Sequence, residues 1–363
     1  MSEVEAMYVH IPFCKHICSY CDFTKVFYSF LYEDKYLDNL IKEIKDANPN
    51  LCKTIYIGGG TPSVLTSKGL EKLLSFLSNY LANEYEFSIE VNPETIDEEK
   101  VKLFAKYKIN RVSIGVESFN DTILNLLGRH HSYKDVKRCV DLLNKYDINN
   151  YSFDFIYGIK GLTISHIRND FKYIDELKPK HLSFYSLILE NNTCLKANNY
   201  VEEDEDVVVN QYDYIYKELA KRGYNQYEVS NYCMDNYESK HNIVYWENKK
   251  YYGFGLGASG YIDDIRYINT KNLTKYLKGD NDKNIEKLTL EDKKTEHIML
   301  GLRLNKGFDL EEYKNLYNED LLIIKNKEIK LLLEQKLIKI SNNKISTTYQ
   351  GMLLLDTVIV KLI

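Results

Sequence analysis

The sequence predicts an α/β protein: an incomplete, open barrel of six βα units, (β/α)6, followed by a small α-rich C-terminal domain. In the first half of the chain, short β-rich runs alternate with helical stretches, which is typical of βαβ units and a parallel sheet. Several runs are apolar at nearly every position, as strands buried on both faces are. Six units occupy about 190 residues, whereas a complete eight-unit barrel takes about 250, so the barrel is expected to be open.

Each predicted strand ends in glycine or polar residues and leads into a predicted helix. The strands are YVHIPF (8–13), TIYIGGG (54–60), FSIEVNP (87–93), RVSIGVES (111–118), YSFDFIYG (151–158) and HLSFYSLILE (181–190). The helices are expected near 33–46, 67–80, 97–107, 133–145 and 163–177. Barrels of this kind carry their sites at the carboxyl ends of the strands. The candidates at those ends are 58–61, Glu90, Glu117, Asp154 and Tyr157.

Beyond residue 190 the alternation stops. A long helix is expected over 201–224, a glycine- and aromatic-rich region over 224–262, and short helices from 290 onward. The charged stretch 278–294 is the predicted linker, because of its polarity. These features predict three domains: the barrel in 1–200, an extension that closes the barrel in 201–285, and the C-terminal domain in 286–363.

Composition and charge narrow the class of protein. A formal net charge of −5 gives no broad basic field, so no nucleic-acid partner is expected. No apolar run reaches the roughly 20 residues of a membrane span, and the opening MSEVEAM lacks the basic and then apolar layout of a signal peptide. A cytoplasmic protein is expected. Thiols stay reduced there, so clustered cysteines indicate a metal site before a disulfide.

Three cysteines form a tight cluster, with the spacing C-x3-C-x2-C: Cys14, Cys18 and Cys21. On a helix these offsets share one face and would make a core stripe, but Pro12 and the strand-like YVHI place the segment in a loop. Structural zinc would need a fourth ligand; His16 lies between two of the thiols, and the other four cysteines form no matching pair. Three thiolates leave one iron of a [4Fe–4S] cluster open to an external ligand, and this interpretation is favoured.

The segment resembles the signature of the radical S-adenosylmethionine enzymes, in which C-x3-C-x2-C follows the first barrel strand and an aromatic residue, here Tyr20, precedes the third cysteine. The resemblance implies that Cys14, Cys18 and Cys21 hold a [4Fe–4S] cluster. It also implies that the open iron binds the amino and carboxylate groups of S-adenosylmethionine, and that the reduced cluster splits the sulfonium to a 5′-deoxyadenosyl radical. The fold of that family is also an incomplete six-unit barrel.

A glycine-rich turn and several charged residues complete the expected S-adenosylmethionine site. GGGTPS (58–63) is a tight strand-to-helix turn; by the resemblance, Gly59, Gly60 and Thr61 receive the methionine amino group. Carboxylates in a barrel mouth are costly unless paired or bound to a polar ligand, so they indicate either a salt-bridge network or a zwitterionic ligand. The resemblance to the related oxidases favours the ligand and implies contacts from Tyr8, Tyr20, Glu90, Glu117, Arg129, Asp154 and Ile188.

One position departs from the family pattern. The family has GVQSF where this chain has GVESF (115–119), so that Glu117 is an acceptor in place of an amide that both donates and accepts. The detail of this contact is therefore expected to differ.

The segment HNIVYW (241–246) contains the only tryptophan of the chain. Taken alone, its histidine reads as a structural residue. With large aromatics beside it, the group would suit axial ligation of haem iron and packing of the macrocycle. The candidates are His241, Asn242, Tyr245 and Trp246.

The order of these motifs resembles the haem chaperones that are related to the oxygen-independent coproporphyrinogen III oxidases. In that branch, HNxxYW is the haem motif and the tail is a small winged-helix-like domain. The resemblance implies a chaperone that binds a [4Fe–4S] cluster, S-adenosylmethionine and haem. Its partners would be a reductant for the cluster and a haem-accepting protein, for example a respiratory or membrane-associated one. Whether the chain is an enzyme that cleaves S-adenosylmethionine stays open.

Two alternatives stay open beside the chaperone. The oxidase decarboxylates two propionates of coproporphyrinogen III to vinyl groups by radical chemistry. It is expected to carry an extension before its first strand and a further cysteine where this chain has Phe23. The seven arginines also offer few bidentate partners for a substrate with four carboxylates. A radical methyltransferase is the third reading.

Overall fold

Six parallel strands form the frame of the protein, for which a computed structural model describes residues 4–363; the first three residues of the acidic opening lie outside it. The six barrel strands are Ala6–Ile11, Cys52–Gly59, Leu81–Val91, Arg111–Glu117, Tyr151–Tyr157 and His181–Ser186. They are hydrogen-bonded in this order, each parallel to the next. The predicted sequence of βα units is thus confirmed.

Helices connect the strands on the outside of the barrel. They span Phe30–Ala47, Ser67–Leu77, Glu98–Lys106, Tyr133–Lys145 and Ile164–Leu177, close to the predicted ranges, and a short helix that was not predicted spans Asp121–Leu127. Local chemistry fixes several starting points: the side chains of Thr66, Asp97 and Asn120 each accept a hydrogen bond from a backbone N–H in the first turn. The buried faces of strands and helices share one apolar core.

The barrel is open. The nine-stranded sheet runs from Tyr252–Phe254 at one edge, through the six barrel strands, to Asn231–Cys233 and Asn225–Gln226 at the other. Tyr252–Phe254 pairs in parallel with the first barrel strand, and Asn231–Cys233 pairs antiparallel to the sixth. The two edge strands do not pair with each other, as expected for an incomplete barrel.

The remainder of the chain extends the barrel and adds a second apolar core. The remaining barrel-side helices are Cys194–Ala197, Glu205–Lys221, Lys240–Trp246 and Leu273–Leu277. An antiparallel sheet consists of Ser259–Ile262, Ile265–Asn269 and Lys283–Lys287. The predicted linker 278–294 is therefore corrected in part: its middle is a strand that pairs with Ile265–Asn269, because backbone hydrogen bonding outweighs the polarity of its exposed side chains.

The α-rich C-terminal part surrounds a separate core that runs from Ile298 to Leu362. Its helices are Leu290–Gly301, Leu310–Tyr317, Leu321–Ile324, Asn326–Glu334, Tyr349–Leu353 and Leu355–Leu362. Its three-stranded antiparallel sheet consists of Phe308–Asp309, Lys344–Thr347 and Ile338–Ser341, in that order. This arrangement agrees with the predicted small, α-rich C-terminal domain. Across residues 4–363, none of the helices combines the length and apolar character that crossing a bilayer requires.

Candidate functional site

A cavity of about 570 Å³ opens at the carboxyl ends of the barrel strands. All three clustered cysteines line it. So do most of the side chains that the sequence predicts for the site: Tyr20, Gly59, Gly60, Thr61, Glu90, Glu117, Arg129, Asp154, Ile188 and Asn242. The structure therefore brings together residues as far apart in the chain as Cys14 and Asn242, at the edge where a parallel barrel carries its chemistry.

The cysteine loop is fixed at both ends. Phe13–Cys14 pairs with Val26–Phe27, and the Tyr28 N–H donates to the Cys14 carbonyl at 2.8 Å. The middle of the loop is tied to the far side of the barrel, since the Ser19 N–H donates to the Leu127 carbonyl at 3.0 Å. Cys14 is buried, whereas Cys18 and Cys21 are half-buried and face the cavity.

The buried thiols can bind a cluster only after they lose their protons. Burial raises the pKa of Cys14 to about 11 and also raises the pKa of Cys21, so both are protonated without a cluster. Ligation needs thiolates, and assembly must therefore release protons. Among the described residues, no three His, Cys, Asp or Glu side chains converge closely enough to hold a single metal ion. A [4Fe–4S] cluster takes its thiolates at separate irons, whereas a single structural zinc ion needs its ligands to converge on one point.

The glycine turn after the second strand lies directly against the cysteine loop. A Cβ on Gly60 would stand 2.8 Å from the Cys14 sulfur, and Gly59 has a φ of 122°, which side-chain-bearing residues rarely adopt. Thr61 is buried, with its hydroxyl 3.9 Å from the Cys14 sulfur. Larger residues at 59 and 60 would push the turn off the loop, so these glycines are required by close approach.

Glu90 is a cavity carboxylate whose pKa is strongly raised. The Tyr56 hydroxyl donates to one of its oxygens at 2.8 Å and the Gly59 N–H to the other at 3.1 Å. Burial raises its pKa to about 7, against the opposing effect of these bonds. A carboxylate held by a glycine turn beside the open face of the cysteine loop suits the ammonium of an amino acid.

Glu117 and Arg129 are a second charged part of the cavity lining. Glu117 lies at a bulge in the fourth strand with a φ of 60°, and its carboxylate accepts a hydrogen bond from the Tyr20 hydroxyl at 2.9 Å. Burial in itself would lower the pKa of Arg129, but the charge of Glu117 holds that pKa above its ordinary value. Arg129 donates to Asn92 Oδ1 at 3.0 Å, and its buried Nε has no partner in the described chain. That free donor fits an added carboxylate.

Of the remaining predicted residues, two line the cavity, Asp154 and Ile188, and two do not, Tyr8 and Tyr157. Asp154 lies inside the barrel, where burial raises its pKa and Ser113 donates to it at 2.7 Å. Ile188 stands at the mouth with 70% of its surface exposed. Tyr8 lies behind the lining, with its hydroxyl 2.8 Å from His10 Nδ1. Tyr157 does not face the cavity: it ends its strand on the opposite face and packs in the core, because side chains alternate along a strand.

The cavity continues below the predicted site into a polar layer that the sequence reasoning did not identify. It is lined by Ser88, Arg111, Ser152, His181, Ser183 and Ser239. Ser88 Oγ and His181 Nδ1 are buried without a hydrogen-bond partner among the described residues. A signal was available in the sequence: small polar residues recur at alternate positions within otherwise apolar strands, as in FSIEV and YSFDF.

The HNxxYW segment lies in the helix Lys240–Trp246, which packs near the amino end of the second barrel strand. His241 is 1% exposed, and both of its ring nitrogens are engaged: Nδ1 lies 2.8 Å from the Thr54 hydroxyl and Nε2 lies 2.7 Å from the Tyr245 hydroxyl. Burial lowers the pKa of His241 to about 3, so the ring is neutral. It also stacks on Tyr56, the residue that holds Glu90. Ligation of haem iron by His241 stays a prediction, and it requires one of these two bonds to break.

The other end of this helix touches the C-terminal part. Arg303 lies over the Trp246 ring at 5.7 Å, and Lys306 forms an ion pair with Glu247. Asn242, by contrast, reaches the cavity. The HNxxYW segment therefore connects the cavity with the C-terminal core and is not a separate pocket.

A glycine-rich turn closes the cysteine loop from behind. His10 Nε2 lies 2.7 Å from the Thr24 carbonyl, and the Tyr36 hydroxyl donates to the His10 carbonyl at 2.7 Å. Gly255 and Gly257 pack against this group: a Cβ at Gly255 would stand 2.5 Å from the His10 carbonyl, and one at Gly257 would stand 2.3 Å from the Thr24 hydroxyl. The loop thus has a wall made by residues of the barrel extension.

Comparison with known proteins identifies relatives over nearly the whole chain. Residues 8–174 match the radical SAM superfamily, and residues 288–354 match the HemN C-terminal domain. The chain is 39% identical to the heme chaperone HemW of Lactococcus lactis subsp. lactis (strain IL1403), over 97% of this chain and 95% of that protein. It is 34% identical to the heme chaperone HemW of Bacillus subtilis (strain 168), over 97% of each.

A solved structure has the same fold. Coproporphyrinogen III oxidase (HemN) from Escherichia coli, a radical SAM enzyme, superposes with a TM-score of 0.85 over 99% of this chain and 90% of that one. The two sequences are 21% identical, so the likeness shows the fold alone. Both the open barrel and the C-terminal domain are shared.

Proposed function

The chain belongs to the HemW family of radical SAM proteins, and from this premise we propose that it is a haem chaperone that binds a [4Fe–4S] cluster, S-adenosylmethionine and haem. The observation that carries the proposal is the cavity, in which three thiols face a set of groups complementary to a zwitterion. When bound, the cluster and S-adenosylmethionine supply one-electron chemistry. We propose a cytoplasmic setting, a reductant for the cluster and a haem-accepting protein as partners.

Each wall of the cavity has a distinct part in binding the zwitterion. Gly59, Gly60 and Thr61 with Glu90 offer backbone groups and a carboxylate to the ammonium group. Arg129, with a free buried donor, is the partner for the carboxylate. Asp154 and Ile188 are left for the hydroxyl-bearing and flat parts of the ligand, and Tyr20 fixes Glu117. Tyr8 supports this set through His10 and Tyr56.

The names of the relatives support haem binding, since the similar proteins from L. lactis and B. subtilis are named heme chaperones. The segment with His241, Asn242, Tyr245 and Trp246 is the haem site that the sequence motif predicts. The closed arrangement of His241 means that this segment must open before its imidazole reaches iron.

The fold of coproporphyrinogen III oxidase makes that activity the second candidate. An anaerobic incubation of the reconstituted chain with coproporphyrinogen III and S-adenosylmethionine, scored for protoporphyrinogen, separates the two when it is run beside a haem titration. Haem binding without turnover supports the chaperone. Turnover that depends on Cys14, with weak haem binding, would contradict it.

A further inference from the structure

The haem chaperone needs an imidazole or another ligand that haem iron can reach. The chain has eight histidines. Six of them have a ring nitrogen in a hydrogen bond within the protein: His10, His131, His166, His181, His241 and His297. The other two, His16 and His130, are exposed and hydrogen-bond to nothing in the described part of the chain.

These two imidazoles lie together. Their ring centroids are 4.3 Å apart, with 55° between the planes. His16 belongs to the cysteine loop and His130 follows the helix Asp121–Leu127. The two loops are joined beside them, because the Ser19 N–H donates to the Leu127 carbonyl and its hydroxyl to the Leu126 carbonyl at 2.7 Å. The pair is therefore held in place by the fold.

We propose that His16 and His130 bind haem iron at the mouth of the cavity, which His16 lines and beside which His130 lies. The inference rests on the proposed function and places its haem at the cavity mouth instead of at the HNxxYW segment, where both ring nitrogens of His241 are engaged. Two nitrogens on opposite faces of one iron stand about 4 Å apart at bonds of about 2 Å, and their ring centroids stand farther apart still. Centroids at 4.3 Å are too close for that arrangement. One ring supplies a single axial ligand, and the other can replace it.

The surroundings combine apolar side chains with charged ones of both signs, since Asp22 and Glu190 line the same cavity as Lys25. Phe23 and Ile188 line the same mouth, with 71% and 70% of their surfaces exposed. Large apolar side chains that share an exposed rim mark a binding surface more than isolated ones do. Lys25 is the lining residue with a positive charge near Phe23: its ammonium donates to the Cys21 carbonyl and keeps further N–H donors for a propionate. The macrocycle would thus lie over the entrance, with its iron at the histidine pair.

The test is a haem titration of the full chain with its cluster reconstituted. Binding is measured from the haem absorption band and from the electron paramagnetic resonance spectrum of the haem iron. His16→Ala and His130→Ala alone should each retain binding, since the neighbouring ring takes over. The double variant should lose at least about tenfold in affinity, because removal even of groups that support a ligand costs about 10–100-fold. Its iron–imidazole signature should also disappear. His166→Ala, which removes a histidine on an outer helix, is the matched control and should bind as wild type does.

The outcomes are distinguishable. If the double variant binds haem with wild-type affinity and spectrum, this site is wrong, and loss on His241→Ala would then point to the HNxxYW segment. If wild type binds no haem, the proposed function fails and the site fails with it. Cluster iron content is measured in each variant. If the double alanine variant loses cluster iron, the double glutamine variant, His16→Gln with His130→Gln, keeps side-chain volume without an imidazole and is held to the same expectation.

Discussion

Replacing His241 by alanine tests what the imidazole of the HNxxYW segment does. The imidazole shares hydrogen bonds with the hydroxyls of Thr54 and Tyr245, at 2.8 and 2.7 Å, and Thr54 is buried. His241→Ala leaves both hydroxyls unmatched, and each unmatched buried group costs about 1–3 kcal/mol. Because Tyr245 is only half-buried, we expect the free energy of unfolding to fall by about 2–4 kcal/mol in total.

The assay is urea unfolding of the chain without its cluster, followed by circular dichroism, with a haem titration on the folded variants. Tyr245→Phe is the matched control: it removes one of the two hydrogen bonds, keeps the ring, and should lose about half as much. A His241→Ala variant within about 0.5 kcal/mol of wild type would refute the structural reasoning. Unchanged stability together with a lost haem band would show that His241 is an iron ligand, as the motif predicts.

Three further outcomes are expected. Cys14→Ala should abolish cluster iron in an anaerobic iron assay, whereas Cys139→Ala, which is buried in the core away from the cavity, should retain it; equal iron in both would exclude the assignment. Arg129→Ala should weaken S-adenosylmethionine binding by about 1–3 kcal/mol in calorimetry, with the exposed Arg138→Ala unchanged. Burial raises the pKa of Glu228 from 4.5 to about 7. Ionising this carboxyl group therefore lowers the free energy of unfolding. The loss is absent below pH 4.5 and complete above pH 7. Glu228→Gln should therefore raise the free energy of unfolding at pH 8 by at most about 3 kcal/mol relative to its effect at pH 4, and a pH-independent difference would contradict this.

The barrel could be predicted because its signals are local. The run TIYIGGG is apolar on both faces and ends in glycines, which is enough to indicate a buried parallel strand and the turn after it. The observed strand Cys52–Gly59 begins two residues before the predicted one and ends one residue before it. The pattern of 278–294 was misleading for the opposite reason: Lys283–Lys287 is a strand with all five side chains exposed, so its sequence carries no periodic apolar signal.

The sequence predicts which residues belong to the candidate site better than it predicts which contacts they make. Alternation along the fifth strand places Asp154 inside the barrel, and this could be derived from the sequence. The left-handed backbone of Glu117 could not, because a bulge depends on the register with the neighbouring strand. The burial of His241 could not either: its partner Thr54 lies 187 positions away, on an element that no local pattern links to it.

The residues behind the cysteine loop determine when during synthesis this loop can fold. Gly255 and Gly257 complete the seat of a loop that ends at residue 28, and Tyr252–Phe254 completes the hydrogen bonding of the first strand. A ribosome adds about 5–20 residues per second. Roughly 10–50 s therefore separate the appearance of the cysteines from the appearance of their last support. During synthesis the three cysteines leave the ribosome before the residues that pack behind their loop. Iron and sulfide delivered at that stage would meet a cysteine loop that is not yet folded against the barrel. We therefore expect the cluster to be loaded late, after the barrel is complete.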